Sequence, residues 1–406
     1  MLEKGPLTGL IVLDLSRVLA GPFCTQMLGD MGATIIKIER PNEGDDTRKW
    51  GPPFVKDSEG NDTSESAYYL SANRNKRSVA IDLSTPEGQQ LIRDLAGKAD
   101  ILIENFKVGS LAKYGLDYET LSKTHEKLIY CSITGFGQTG PLAHEPGYDF
   151  LAQALAGLMS VTGEPAGTPM KVGVALSDIM TGLYAAIGIL SALQARHISG
   201  KGQHVDLALT DCTLSSLTNL AQYYLTSGQV PPRLGNAHAS IVPYEAFETA
   251  DDHVIFAVGN DTQFARFAAI CGHEEWAADP RFAKNSARVL HRNELLPLIR
   301  TCLKGKTTAE WLALADTHNI PAAPIQKMDA VFETPQILAR DMKIHMQHGS
   351  GEEIDLIGSP LKFSENPVTY RHAPPVCGAD SDFILSNILG LDEETRKRYR
   401  DTGIIQ

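Results

Sequence analysis

The sequence predicts an α/β fold: an open parallel sheet in a large domain, joined to a smaller α+β domain. Three observations carry this. Residues 10–39 read strand, helix, strand. The same alternation runs on to about residue 135. From about residue 241 the pattern changes to strand-like segments followed by helices rich in Ala, Trp and Arg.

Leu10 to Leu15 is a short continuous apolar run, as in a strand buried on both faces. Residues 16–21 form a loop, and Pro22 sits where proline is tolerated, in the first turn of a helix to about Asp30. Thr34 to Glu39 is a second buried strand, completing a βαβ unit with its right-handed crossover. After a polar, Pro/Gly-rich excursion at about 41–66, Ser78 to Leu83 reads as a strand and Thr85-Pro86-Glu87 opens a helix to about Lys98. Strands follow at residues 100–105 and 128–133, with short helices near Leu111 and from Asp117. The next stretch is helix-rich. Residues 148–160 and 179–197 are apolar enough to be buried, 203–209 is a strand, and a helix covers 213–225. Residues 227–235 look like a linker. Strands at 244–248 and 253–258 open the second domain, and the tail ends in helices at about 380–390 and 392–401.

The chain has 406 residues and a formal net charge of -12, with 43% hydrophobic and 21% charged residues. That is an ordinary globular composition. The acidic balance argues against a nucleic-acid partner. No apolar run is read as a membrane span, and the opening residues 1–6 do not read as a targeting signal. The six cysteines lack CxxC spacing and the 12 histidines are scattered. A metal enzyme is not indicated, and reduced thiols suit a cytoplasmic location.

The first βα loop lacks GxGxxG, so an NAD site is not expected in this Rossmann-like sheet. Basic residues gather instead near the expected crevice: Arg17, Lys37, Arg40, Lys113, and the quartet Arg74-Asn75-Lys76-Arg77. Such a ring suits a phosphorylated ligand. Gly135-Phe136-Gly137 would let backbone approach a ligand, or is a plain strand-to-helix loop. Asp178 stands in an apolar stretch where a helix begins, fitting a helix N-cap or a carboxylate nucleophile kept ionised by the helix dipole.

These segments together resemble the class III CoA-transferases (CaiB/BaiF type), over nearly the whole chain. The resemblance rests on Leu13-Asp14-Leu15-Ser16-Arg17-Val18-Leu19-Ala20-Gly21-Pro22, Ile36-Lys37-Ile38-Glu39-Arg40, Asn73-Arg74-Asn75-Lys76-Arg77-Ser78, Glu104-Asn105-Phe106, Gly135-Phe136-Gly137, Gly147-Tyr148-Asp149 and Ser177-Asp178. It implies that Asp178 is the catalytic nucleophile. It implies CoA contacts at Arg17, Val18, Ala20, Arg40, Asn105, Phe106 and Lys113, with Ile81, Asp82 and Leu83 on the adenosine side. Backbone N–H groups at the start of the helix after Asp178 are expected to steady an oxyanion.

The family also contains α-methylacyl-CoA racemases, which pair the Asp with a His. Tyr148 stands at that His position, and a phenol with a pKa near 10 is a poor base at neutral pH. Transfer is therefore favoured, with racemase or epimerase as the alternative and Tyr148 assigned to the substrate pocket. Residues 45–54, 130–135 and 235–244 are most similar to enzymes that move CoA from succinyl-CoA to short dicarboxylic acids. A second carboxylate needs a cation; Arg48 and His238 are the candidates, with Arg74 behind them. The resemblance implies CoA as co-substrate without a permanently bound cofactor, and acyl-CoA and small carboxylic acids as partners. It also implies an interlocked-ring homodimer. The expected organisation is 1–200 for the first part of the large domain, 201–235 for a linker, 236–325 for the small domain and 326–406 for a linker and return to the large domain.

Overall fold

The computed structural model describes residues 5–406; residues 1–4, part of the opening stretch expected to carry no targeting signal, lie outside the described residues. The chain divides into two compact units. Among the described residues, one comprises 5–158, 172–222 and 335–406, the other 159–171 and 223–334.

The larger unit is built on a six-stranded sheet: β1 (Ile11–Asp14), β2 (Thr34–Glu39), β3 (Lys76–Ala80), β4 (Ile101–Glu104), β5 (Ile129–Thr134) and β6 (His204–Ala208). Their order is β3-β2-β1-β4-β5-β6, and every neighbouring pair is parallel. The order reverses between β1 and β4, and a crevice opens outside the strand ends at such a switch point. One face carries Val12, Ile101, Ile103 and Ile129 beneath helices Ala20–Asp30 and Leu176–Ser199. The other carries Leu13, Ile36, Leu102 and Tyr130, covered by Leu91, Ile92 and Leu95 and by Ile384, Leu385, Ile404 and Ile405 from the end of the chain.

Three expectations need correction. Residues 201–235 are not a linker: residues 204–208 pair with β5 as an edge strand, and helices Leu209–Ser216 and Thr218–Ser227 follow. Irregular backbone in this stretch is limited to residues 201–203 and 228–243. The strand expected at 78–83 begins two residues earlier, which puts the 74–77 quartet at its start and frees 81–83 for a loop at the crevice. Helix Leu176–Ser199 is long and apolar enough to cross a membrane by length and composition alone. It is only half buried. Ser177, Thr181, Ala185, Ile189 and Ala192 face inward at helical spacing, while Leu183, Tyr184 and Ile187 are exposed.

The smaller unit holds a three-stranded antiparallel sheet ordered Ala322–Pro324, His253–Ala257, Tyr244–Glu248. Phe247, Phe256, Phe264, Phe267 and Trp311 form its core. Buried Arg288 ties the core's edges by donating to the carbonyls of Val242 and Phe282 and to Asp261.

Candidate active site

The loop after β1 is fixed by buried charge. Asp14 accepts from the Ser16 amide and hydroxyl and from the Thr25 hydroxyl, and pairs with Lys76 at 3.3 Å. Lys37 donates to the Ser16 carbonyl at 3.0 Å and to Asp45 at 2.9 Å. Asn105, just past β4, clamps the loop from the other side of the switch point. Its oxygen accepts the Arg17 amide at 2.9 Å and its nitrogen donates to the Arg17 carbonyl at 2.7 Å. Between these clamps Val18 holds φ at 71°. A β-branched residue in the left-handed region is strained, and persists where its surroundings over-determine it.

Asp178 is brought to this loop by close backbone approach. A side chain at Gly182, one turn further along the helix, would meet the Ala20 carbonyl at 2.7 Å. Gly135 and Gly147 pack backbone to backbone, with room for no Cβ on either, which sets the loop carrying Tyr148 and Asp149 against the end of β5. Arg17, Val18, Ala20, Asn105, Phe106, Tyr148, Asp149 and Asp178 consequently line one cavity of about 350 Å³. A second cavity, of about 500 Å³, is lined by Arg17, Arg40, Ile81, Asp82, Leu83, Phe106 and Tyr114. Arg17 and Phe106 line both, and the guanidinium lies 5.7 Å from the ring centroid.

The electrostatics of Asp178 invert the expectation. It is not a helix N-cap, since Ala175 occupies that position and Asp178 lies in the first turn. Nor is its carboxyl held low by the helix dipole. Burial, and then the Asp149 carboxylate, push it up to about 7. Asp149 Oδ1 accepts the amides of Ser177 at 2.8 Å and Asp178 at 3.4 Å. Those two N–H groups are therefore committed, and the Ile179 amide, where the oxyanion donors were expected, donates to the Ala175 carbonyl at 3.1 Å.

Several expected ligand-binding cations are also committed elsewhere. Arg48 is buried and donates to Glu39, to Glu65 and to the Pro375 carbonyl, so it does not offer its guanidinium to a substrate carboxylate. Arg74 is buried against Asp30 and the Ile357 carbonyl. Lys76 pairs with Asp14, and Arg77 with Asp380. The quartet thus braces the start of β3 rather than ringing the crevice. His238 lies in the smaller unit, where its Nδ1 accepts the Ser240 amide. Lys113 lines neither cavity; its ammonium lies 4.6 Å from the Tyr114 ring centroid.

Three groups were missed in the sequence. Asp149 stands in the sequence only as the end of the Gly147-Tyr148-Asp149 motif. Glu104 is buried at the end of β4, accepts the Phe106 amide at 2.8 Å, and is pushed up to about 7 by burial. Tyr68 is raised to about 12 by burial and then by the charges of Asp178 and Asp149, so its hydroxyl stays protonated. A tyrosine at the edge of a polar excursion carries no sequence signal of that.

The model of CoA-transferase family III matches residues 7–381. This chain belongs to that family. It is an enzyme of the CoA-transferase type. The chain is 48% identical over 386 residues to the succinate–glutarate CoA-transferase of Agrobacterium fabrum, covering 95% of this chain and 96% of the relative. It is 39% identical to the human succinyl-CoA:glutarate CoA-transferase, covering 98% of this chain and 90% of that one. A CaiB/BaiF family protein from Brucella suis superposes with a TM-score of 0.84 at 45% identity, covering 95% of this chain and all of that one.

Proposed function

We propose that this CoA-transferase moves CoA from succinyl-CoA to glutarate or a similar short dicarboxylic acid, with Asp178 as the covalent nucleophile. The observation that carries the reading is the pair of cavities sharing Arg17 and Phe106, one ending at Asp178 and the other lined by Arg40 and residues 81–83. CoA is long, with its charge at one end and its thioester at the other. The two cavities suit these ends, with the nucleotide beside Arg40 and the thioester beside Asp178. The choice of acids is supported by the names of the Agrobacterium and human relatives.

The steps balance without water or an external oxidant. The Asp178 carboxylate attacks the succinyl thioester carbonyl, the C–S bond breaks, and CoA thiolate leaves a mixed anhydride. The thiolate attacks the aspartyl carbonyl, expels succinate and leaves an aspartyl-CoA thioester. Glutarate attacks that carbonyl and releases the thiolate again. The thiolate then attacks the glutaryl carbonyl, forming glutaryl-CoA and restoring Asp178. Burial aids this chemistry by raising the free energy of the ionised nucleophile, as its elevated pKa records, and by limiting water at the activated acyl groups.

We propose a homodimer of the interlocked kind. It is supported by the exposed apolar side chains Phe150, Leu151, Leu155, Leu183, Tyr184 and Ile187 on neighbouring helices of the larger unit. Cytoplasmic placement is supported by the six free thiols. Substrate choice is tested by incubating the enzyme with succinyl-CoA and, separately, glutarate, malate, itaconate, mesaconate, oxalate and carnitine. Glutaryl-CoA is the expected main product. Preferred formation of a monocarboxylic acyl-CoA, or no acyl-CoA product from any acid, overturns the assignment.

A further inference from the structure

The last residues of the chain lie against both loops that line the larger cavity. The Asp82 amide donates to the Ile404 carbonyl at 2.9 Å, and the Gln406 amide to the Ala80 carbonyl at 3.3 Å. Ile405 bridges Ile81 and is buried with Ile404 in the sheet's core. This fixes residues 404–406 along the loop after β3. From there the Gln406 side chain reaches the loop after β2, where its Oε1 accepts the Asn42 amide at 2.7 Å. Asn42 sits at φ 62°, in the turn that begins with Arg40. Arg40, Pro41, Asn42, Ile81, Asp82 and Leu83 all line the same cavity, and Gly403 lines it too.

We infer that Gln406 is a positioning residue for the nucleotide end of CoA: it staples the Arg40 turn to the 81–83 loop and so sets the width of the cavity between them. The inference rests on the reading that this cavity receives the phosphorylated nucleotide. Arg40 itself is exposed and, among the described residues, its side chain pairs only with Glu43, three residues on. Such a surface pair does little to hold an arginine in place. The Asn42 amide, beside it in the chain, is held by Gln406.

Gln406→Met keeps the side chain's length and removes the acceptor, and an exposed position tolerates the change. The expected result is a Kd for CoA and a KM for succinyl-CoA each raised about fivefold, the size of one lost hydrogen bond, with unchanged kcat. Succinyl-pantetheine, which has the thioester but no nucleotide, should be used equally well by both enzymes. Wild-type affinity for CoA in the variant overturns the inference. So does an equal loss with succinyl-pantetheine, because that marks a general structural defect. If the wild-type enzyme itself fails to bind CoA, the reading of the cavity falls, and the inference with it.

Discussion

The carboxylate of Asp149 caps the helix that carries Asp178, accepting the Asp178 amide at 3.4 Å, and is at the same time the like charge that helps hold the Asp178 carboxyl near neutrality. One residue thus fixes the geometry of its neighbour and destabilises its charged form. The free energy for the second effect comes from folding, since Asp149 is also tied to Gln153 at 2.8 Å.

Asp149→Asn keeps an oxygen for the Ser177 amide and removes the negative charge. The Asp178 pKa should fall. The acid limb of kcat/KM, expected near pH 7 in the wild type, should move to lower pH, and activity at pH 6 relative to the plateau should rise about twofold or more. A pH profile of succinyl-CoA consumption checks this; an unmoved limb would show that Asp149 does not govern the charge on Asp178.

Asp178 also has a stability signature. Its folded-state pKa of about 7 lies above the ordinary 3.8, so the folded chain holds the proton more tightly than the unfolded one. That contribution is complete below pH 4 and is lost as pH rises through 7. Asp178→Asn removes the penalty of a buried charge. Its Tm should match the wild type at pH 4 and exceed it by about 2 °C or more at pH 8. Thermal melts at both pH values decide it.

Arg48→Ala should act on stability rather than on substrate choice. It leaves the buried carboxylates of Glu39 and Glu65 without their cation, a loss of about 3–5 kcal/mol. Denaturant unfolding should show that loss, while the surviving enzyme keeps the wild-type preference among dicarboxylic acids. A selective loss of dicarboxylates over monocarboxylates, with stability intact, would return Arg48 to the substrate.

The order of the parallel-sheet strands and their covering helices in the first 135 residues was legible because buried parallel strands are continuous apolar runs and their helices carry proline and glycine at the ends; the antiparallel pair Phe54–Lys56 and Asp62–Ser66, inside the polar excursion, was not. The position of β3 was less so. Residues 74–77 look like a solvated basic cluster, and only the partners Asp14, Asp30 and Asp380, distant in sequence, reveal them as buried or half-buried braces. Arg48 misled for the same reason, since Glu39 and Glu65 stand 9 and 17 residues away. Asp178 was recognisable as a motif, but its charge state was not: the dipole argument holds for an exposed helix end, and here burial and Asp149 outweigh it. Residues 404–406 gave no signal because their role depends on meeting loops more than 300 positions earlier.

The most direct test is mass analysis of the enzyme after brief incubation with succinyl-CoA, without an acceptor acid, followed by borohydride or hydroxylamine. Modification should be confined to the peptide carrying Asp178, and Asp178→Ala should show neither the modification nor CoA transfer. Full transfer by Asp178→Ala, or an adduct on a different carboxylate, would contradict it.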